Sequence, residues 1–153
     1  QQQPIGIITA RWNTGVTEAL EAGALSFLKA HGFSDQQCYH HQVPGSFELP
    51  LGVQYLAEHT PVQGIIAIGC LIQGETPHFH YIADTVTDKL SNLNLRYHIP
   101  ISYGLVTVNS HDQAEARAGG SQGNKGEEAA SAMLQMMELK LTLSGRKMQA
   151  GFR

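Results

Sequence analysis

The apolar positions of this chain alternate between two rhythms. Four short runs have strand character: IGIITA at 5–10, QCYHHQV at 37–43, GIIAIGCLI at 64–72 and ISYGLVTV at 101–108. The first, third and fourth are dense in β-branched and aliphatic residues, which predicts strands buried on both faces. The second carries His40 and His41 and predicts an edge strand. Between the runs the spacing changes to threes and fours. Val16, Leu20, Ala24, Phe27 and Leu28 predict one helix, with Gly32 placed to stop it. Leu49, Val53 and Leu56 predict a second, with Pro50 in its first turn. Phe79, Ile82, Val86, Leu90, Leu93 and Tyr97 predict a third, ended before Pro100, with Thr76 as its cap and Pro77 as its first residue. Ser110 and Gln113 form a capping box for a short helix over 112–118. A long helix is expected over 126–143, closed by Gly145, with a basic tail, GRKMQAGFR, beyond it.

Strand and helix alternating four times predict an α/β fold. The expected architecture is a three-layer sandwich, flavodoxin-like, with a four-stranded, mostly parallel sheet covered by helices on both faces. No repeat, low-complexity tract or linker interrupts the pattern, so residues 1–153 are expected to form a single domain.

Composition narrows the function. A net charge of −3 leaves no basic footprint for nucleic acid. No apolar run reaches the ~18 residues that a membrane helix needs. QQQPIGIITA lacks the basic-then-apolar order of a secretory leader. Two cysteines, Cys38 and Cys70, suit free thiols in a reducing compartment, hence the cytoplasm. Charged residues make up only 15% of the chain, which suggests that part of the surface meets copies of itself.

Parallel sheets bind ligands at the carboxyl ends of their strands. That rule selects 11–13, 43–48 and 73–80 and places them on one rim. Each has an ordinary explanation: a rim residue packing on the core, a strand-to-helix connection, a helix start with a surface histidine. Each also offers chemistry. Trp12, the only tryptophan, is a flat platform for a heterocycle. Glu48 can accept hydrogen bonds from ring or sugar donors. A helix starting near Thr76 suits an anion, and His78 in its first turn can shuttle protons. His78 and His80 could suggest a metal pair, but no carboxylate or cysteine joins them at ligand spacing. GGSQGNKG resembles a phosphate loop only loosely and lacks Walker order, so a break between two helices accounts for it. Arg117 beside it offers a fork that matches phosphate.

Together and in this order, ARWN (10–13), VPGSFELP (43–50), GETPHF (74–79), YGLVTV (103–108), and QAEARAGG with GNKGEEAA (113–130) resemble the 6,7-dimethyl-8-ribityllumazine synthase family. The resemblance implies a reaction. A ribityl-bearing aminopyrimidinedione condenses with 3,4-dihydroxy-2-butanone 4-phosphate, without metal or redox cofactor, in the penultimate step of riboflavin biosynthesis. It implies that Trp12 stacks on the pyrimidine and that Ser46, Phe47 and Glu48 line the ring and ribityl chain. Cys70, Leu71 and Ile72 would form the floor. Glu75, Thr76 and Arg117 would hold the phosphate, and His78 would transfer protons. Tyr103 and Arg117 would come from a neighbouring subunit of a homo-oligomer built from pentamers, with Lys125 and Glu128 near the site. Two positions depart from the family pattern. Trp12 stands where Phe is commoner, which suggests firm binding of riboflavin or the lumazine product. His80 stands where an acid is frequent and gives His78 no anionic support. Two other readings exist: a flavin-binding shell protein, which has no need of His78 with Arg117, and a metal-dependent hydrolase.

Overall fold

Strand order explains the distribution of the helices. A computed structural model describes residues 3–151. The four long strands are β1 (Ile5–Ala10), β2 (Cys38–Val43), β3 (Ile65–Ile72) and β4 (Ile101–Val108). They are parallel and lie in the order β2-β1-β3-β4. The chain therefore steps one way from β1 to β2, then crosses back and continues the other way. Crossovers of one hand must then fall on opposite faces. Helix α1 (Thr14–Ala30), which joins β1 to β2, covers one face together with α5 (Lys125–Gly151). Helices α2 (Leu49–His59) and α3 (His78–Tyr97) cover the other. This is the expected flavodoxin-like three-layer sandwich.

Each face has its own core. Ile5, Ile7, Ile66, Ile68 and Val106 meet Val16, Leu20 and Leu28 of α1 and Ala130 and Met133 of α5. Ile8, Ile65, Ala67 and Leu105 meet Leu49, Val53 and Leu56 of α2 and Val86, Leu90 and Leu93 of α3. The central strand β1 is buried at all six positions, as its β-branched and aliphatic run predicts. β2 is an edge, with His40, His41 and Gln42 exposed. His40 Nε2 lies 2.8 Å from Glu21 Oε2 on α1.

Four expectations need correction. β4 is the other edge of the sheet and is not buried throughout, because no neighbour covers Tyr103 and Thr107 on its α3 side. The helix predicted to close at Gly145 runs on to Gly151. One glycine in a helix costs about 1 kcal/mol, too little to stop a long helix by itself. Residues 152–153 of the basic tail lie outside the described residues. GGSQGNKG is more than a break between helices: after α4 (His111–Ala116), β5 (Ala118–Gly120) and β6 (Gly123–Asn124) form a small antiparallel hairpin, with φ of 103° at Gly119 and 78° at Gly123. Finally, α3 starts at His78, with Pro77 at the capping position and no side chain capping it. The Thr76 hydroxyl therefore does not serve as its cap.

Other signals hold. Gly32 follows α1 with φ 88°; its N–H donates to Lys29 O and that of Phe33 to Leu28 O, closing the helix end. The Ser110 hydroxyl accepts the N–H of Gln113 at 3.2 Å, and the Gln113 amide reaches back to the N–H of Asn109.

Asn124 ties the hairpin to both helices of its face. Its amide donates to Ala19 O of α1 at 3.1 Å, and its Oδ1 accepts from the N–H groups of Gly126 and Glu127 at the start of α5. At Gly126 the two helices touch backbone to backbone: a Cβ there would lie 1.8 Å from Leu20 O. Gly126→Ala should therefore lower stability by on the order of 2–3 kcal/mol or more through overpacking. Gly145, with nothing within 4 Å of an added Cβ, is the control. Gly145→Ala should be neutral or stabilising by about 0.5–1 kcal/mol. Urea midpoints of the two variants check this, and equal destabilisation would refute the α1–α5 seam.

Candidate functional site

The order of strands reverses beside β1, and the connections that leave the carboxyl ends of β1 and β3 there diverge. They open a cleft of about 430 Å³. All three segments selected from the sequence reach it: Trp12 and Asn13; Ser46, Phe47 and Glu48; Gly74, Thr76 and His78. Leu71 and Ile72 of β3 close its floor. The expectation of one shared rim is met.

Trp12 is 71% exposed and Phe47 is 60% exposed, so two aromatic surfaces stand open at the mouth. Ser46 between them and the sheet is buried, and its hydroxyl has no hydrogen-bond partner among the described residues. Gly69 of β3 makes its room, since a Cβ there would lie 2.8 Å from Ser46 Oγ. The buried hydroxyl of Thr9 on β1 is unpaired in the same way, and Ser46 is the one of the two that lines the cleft. The single turn over Ser46–Glu48 ends with the N–H of Glu48 on Gly45 O, holding that residue half-buried at the cleft.

His78 is the first residue of α3 and is exposed to the cleft. The N–H groups of His78 and Phe79 precede the first intrahelical donor, His80, whose N–H goes to Pro77 O at 3.0 Å. With no side-chain cap, this helix end presents free donors and a positive dipole toward the cleft, a setting for an anion. His80 points to Gln73, with Nε2 3.4 Å from the Gln73 amide nitrogen.

Cys70 lies fully buried beneath the floor. Burial pushes its thiol up to about 11. Cys38, half-buried on β2, is also raised, by burial first and then by Asp35, with Lys29 opposing.

Several expected site residues lie elsewhere. Glu75 is exposed and does not line the cleft. Arg117 ends α4, with Nη1 donating to Gln113 O at 3.0 Å. Tyr103 and Lys125 line a second cavity of about 330 Å³ beside β4, with Glu128. There Lys125 Nζ lies 3.3 Å from Glu128 Oε2, and the Tyr103 hydroxyl is 2.9 Å from Thr87 Oγ1. The two cavities share no lining residue, and neither Arg nor Lys lines the first. Among the described residues, no three His, Cys, Asp or Glu side chains gather at a metal-binding cluster.

Asn13 and Phe79 lie inside the selected segments without a role of their own, and Ile82 lies outside them, yet all three line the cleft. Phe79 and Ile82 fit the helical apolar stripe of α3, whereas the first turn of that helix overhangs the cleft. Asn13 had one available signal: Asn tolerates the left-handed backbone of a sharp turn, and its φ is 62°.

The description 6,7-dimethyl-8-ribityllumazine synthase belongs to the family whose sequence profile matches residues 2–141. Proteins of that name share much of the sequence. The one from Bacteroides fragilis is 43% identical over 91% of this chain and 97% of its own length. That from Porphyromonas gingivalis is 46% identical over 89% and 84%, and that from Parabacteroides distasonis 44% identical over 87% and 83%.

The Cys70 environment predicts alkaline sensitivity. Unfolding returns the thiol from about 11 to its ordinary 9. The unfolded chain therefore loses this proton first. The contribution is intact below pH 9 and is lost as pH rises toward 11, amounting to about 2–3 kcal/mol. Urea titrations across that range should show the loss, and Cys70→Ala should remove most of it. At pH 8 a thiol reagent should leave Cys70 unmodified until denaturant is added.

Proposed function

The chain belongs to the 6,7-dimethyl-8-ribityllumazine synthase family, and from that premise we propose that the cleft between Trp12 and His78 is its active site. Its reaction is the condensation that forms 6,7-dimethyl-8-ribityllumazine in riboflavin biosynthesis, a transferase reaction on small molecules. The partners we assign are the ribitylaminopyrimidinedione and 3,4-dihydroxy-2-butanone 4-phosphate, which yield the lumazine, phosphate and water. One domain over 1–153 carries it, and no helix among the described residues is long and apolar enough to cross a membrane. Free thiols at Cys38 and Cys70 fit a cytoplasmic setting.

The observation that carries this reading is the company His78 keeps. An uncapped helix end, an imidazole, an exposed indole and a buried unpaired hydroxyl share one cleft. The pyrimidine ring stacks on Trp12, with Phe47 alongside. The ribityl chain runs past Ser46, whose hydroxyl gains the partner it lacks, and past Glu48. Backbone groups of Cys70, Leu71 and Ile72 meet the ring edge. The phosphate sits at the first turn of α3 beside Glu75 and Thr76. Imine formation, phosphate elimination and ring closure each move a proton near that anion, and His78 is the group that carries it. Trp12 also supports binding of riboflavin or the lumazine product, since its indole offers a wide surface to a flavin-like ring.

No Lys or Arg lines the cleft, and a phosphate calls for one. Arg117 is the fork we assign to it, supplied with Tyr103, and with Lys125 nearby, by an adjacent copy in an assembly built from pentamers. The exposed Leu95, Met136, Leu139 and Tyr103 support burial against copies.

Two outcomes are expected. His78→Ala should lower kcat by on the order of tenfold to a hundredfold, with little change in KM for the pyrimidine; unchanged kcat removes its assigned role. Arg117→Ala chains, weak alone, should regain activity when refolded with His78→Ala chains. In randomly mixed rings about a quarter of interfaces carry both intact residues. No recovery would place both residues in one chain's site.

A further inference from the structure

The turn that presents Trp12 is fastened at both sides of the tryptophan and not at the tryptophan itself. On one side the N–H of Arg11 donates to Val43 O at 2.9 Å, and Arg11 O accepts from the Thr14 hydroxyl at 2.6 Å. On the other side Asn13 O accepts the N–H groups of Val16 and Thr17, opening α1. Asn13 itself has φ 62° and ψ 50°, the left-handed conformation, so the chain turns from strand to helix within a few residues. Asn is among the few residues that enter this region readily.

The side chain of Asn13 makes the long-range contact. Its amide nitrogen donates to Cys70 O at 3.0 Å, across 57 positions of sequence. A carbonyl only accepts, so the contact fixes which end of the amide faces β3. The register between β1 and β3 ends at Thr9 opposite Ile68, two residues before Cys70. The Asn13 amide thus supplies a donor where the β1 backbone no longer reaches, and it prolongs the ladder by one rung made of a side chain.

We infer that Asn13 is a positioning residue, which holds the Trp12 indole over the cleft and holds the Cys70 carbonyl beneath it through one amide. That Trp12 carries the pyrimidine ring rests on the function proposed above. The hold on Trp12 does not, and the two can be tested apart. Asn13→Gly keeps access to the left-handed backbone and removes the amide. Asn13→Asp keeps the shape and replaces the donor with an acceptor that repels Cys70 O.

Trp12 is the only tryptophan, so time-resolved fluorescence anisotropy of the unliganded protein reads its motion directly. Both variants should show a larger fast component than wild type, while far-ultraviolet circular dichroism stays unchanged. Identical decays in wild type and Asn13→Gly would overturn the inference, whatever happens to activity. In turnover, both variants should raise KM for the pyrimidine roughly 2- to 10-fold, the range of one hydrogen bond, with kcat nearly kept. A loosened indole with unchanged KM supports the hold by Asn13 and removes Trp12 from the ring site. A fall in kcat alone would overturn the positioning role for binding. Asn13→Gln, with its longer arm, should not restore the slow decay.

Discussion

A central strand that is buried at every position must be covered on both faces, and this requirement organises the molecule. β1 has no side to give to water. Helices joined by crossovers of a single hand can reach both faces only if the strand order turns back on itself. It does so beside β1, with β2 on one flank and β3 on the other. The connections leaving β1 and β3 then part company, and the gap between them is the cleft. Burial of six residues thus determines where chemistry is possible.

Much of this was visible in the sequence because burial and periodicity leave local marks. The four runs, the edge character of the His40–His41 strand and the gathering of Trp12, Ser46 and His78 at one rim follow from residue type and strand direction alone. What escaped detection depends on contacts remote in sequence. No local pattern assigns a role to Asn13, because its partner, Cys70 O, lies on another strand. GGSQGNKG looked like a break because nothing local reveals that Asn124 reaches Ala19. β4 reads as fully buried, yet it is the edge of its sheet and Tyr103 on it stays exposed. The resemblance to a family implies what no pattern of spacing does: that Arg117 comes to the site from a neighbouring copy has no visible reason within one chain.

The cleft also shows how polar groups are left open with purpose and at modest expense. The uncapped start of α3 and the unpaired hydroxyl of Ser46 each forgo a hydrogen bond of roughly 1 kcal/mol. Many other polar groups are paired, the buried Thr9 hydroxyl of β1 excepted. Asn94 bonds Leu90 O and both backbone groups of Ile101, and Tyr97 on α3 donates to Glu58 on α2, which lowers that carboxyl together with Gln54.

The seam between α1 and α5 has a consequence for how the chain comes to be made. The α2–α3 face of the sheet is complete once β4 has been synthesised. The opposite face is not, because Leu20 meets its partner only when Gly126 arrives, 106 residues later (126 − 20). At ordinary translation rates that interval is roughly 5–20 seconds. For that time the inner stripe of α1 and one side of β1 lack their final cover. Closure of the first layer is thus a late event in the birth of the protein, and a nascent chain paused before α5 would expose the apolar surface that chaperones recognise.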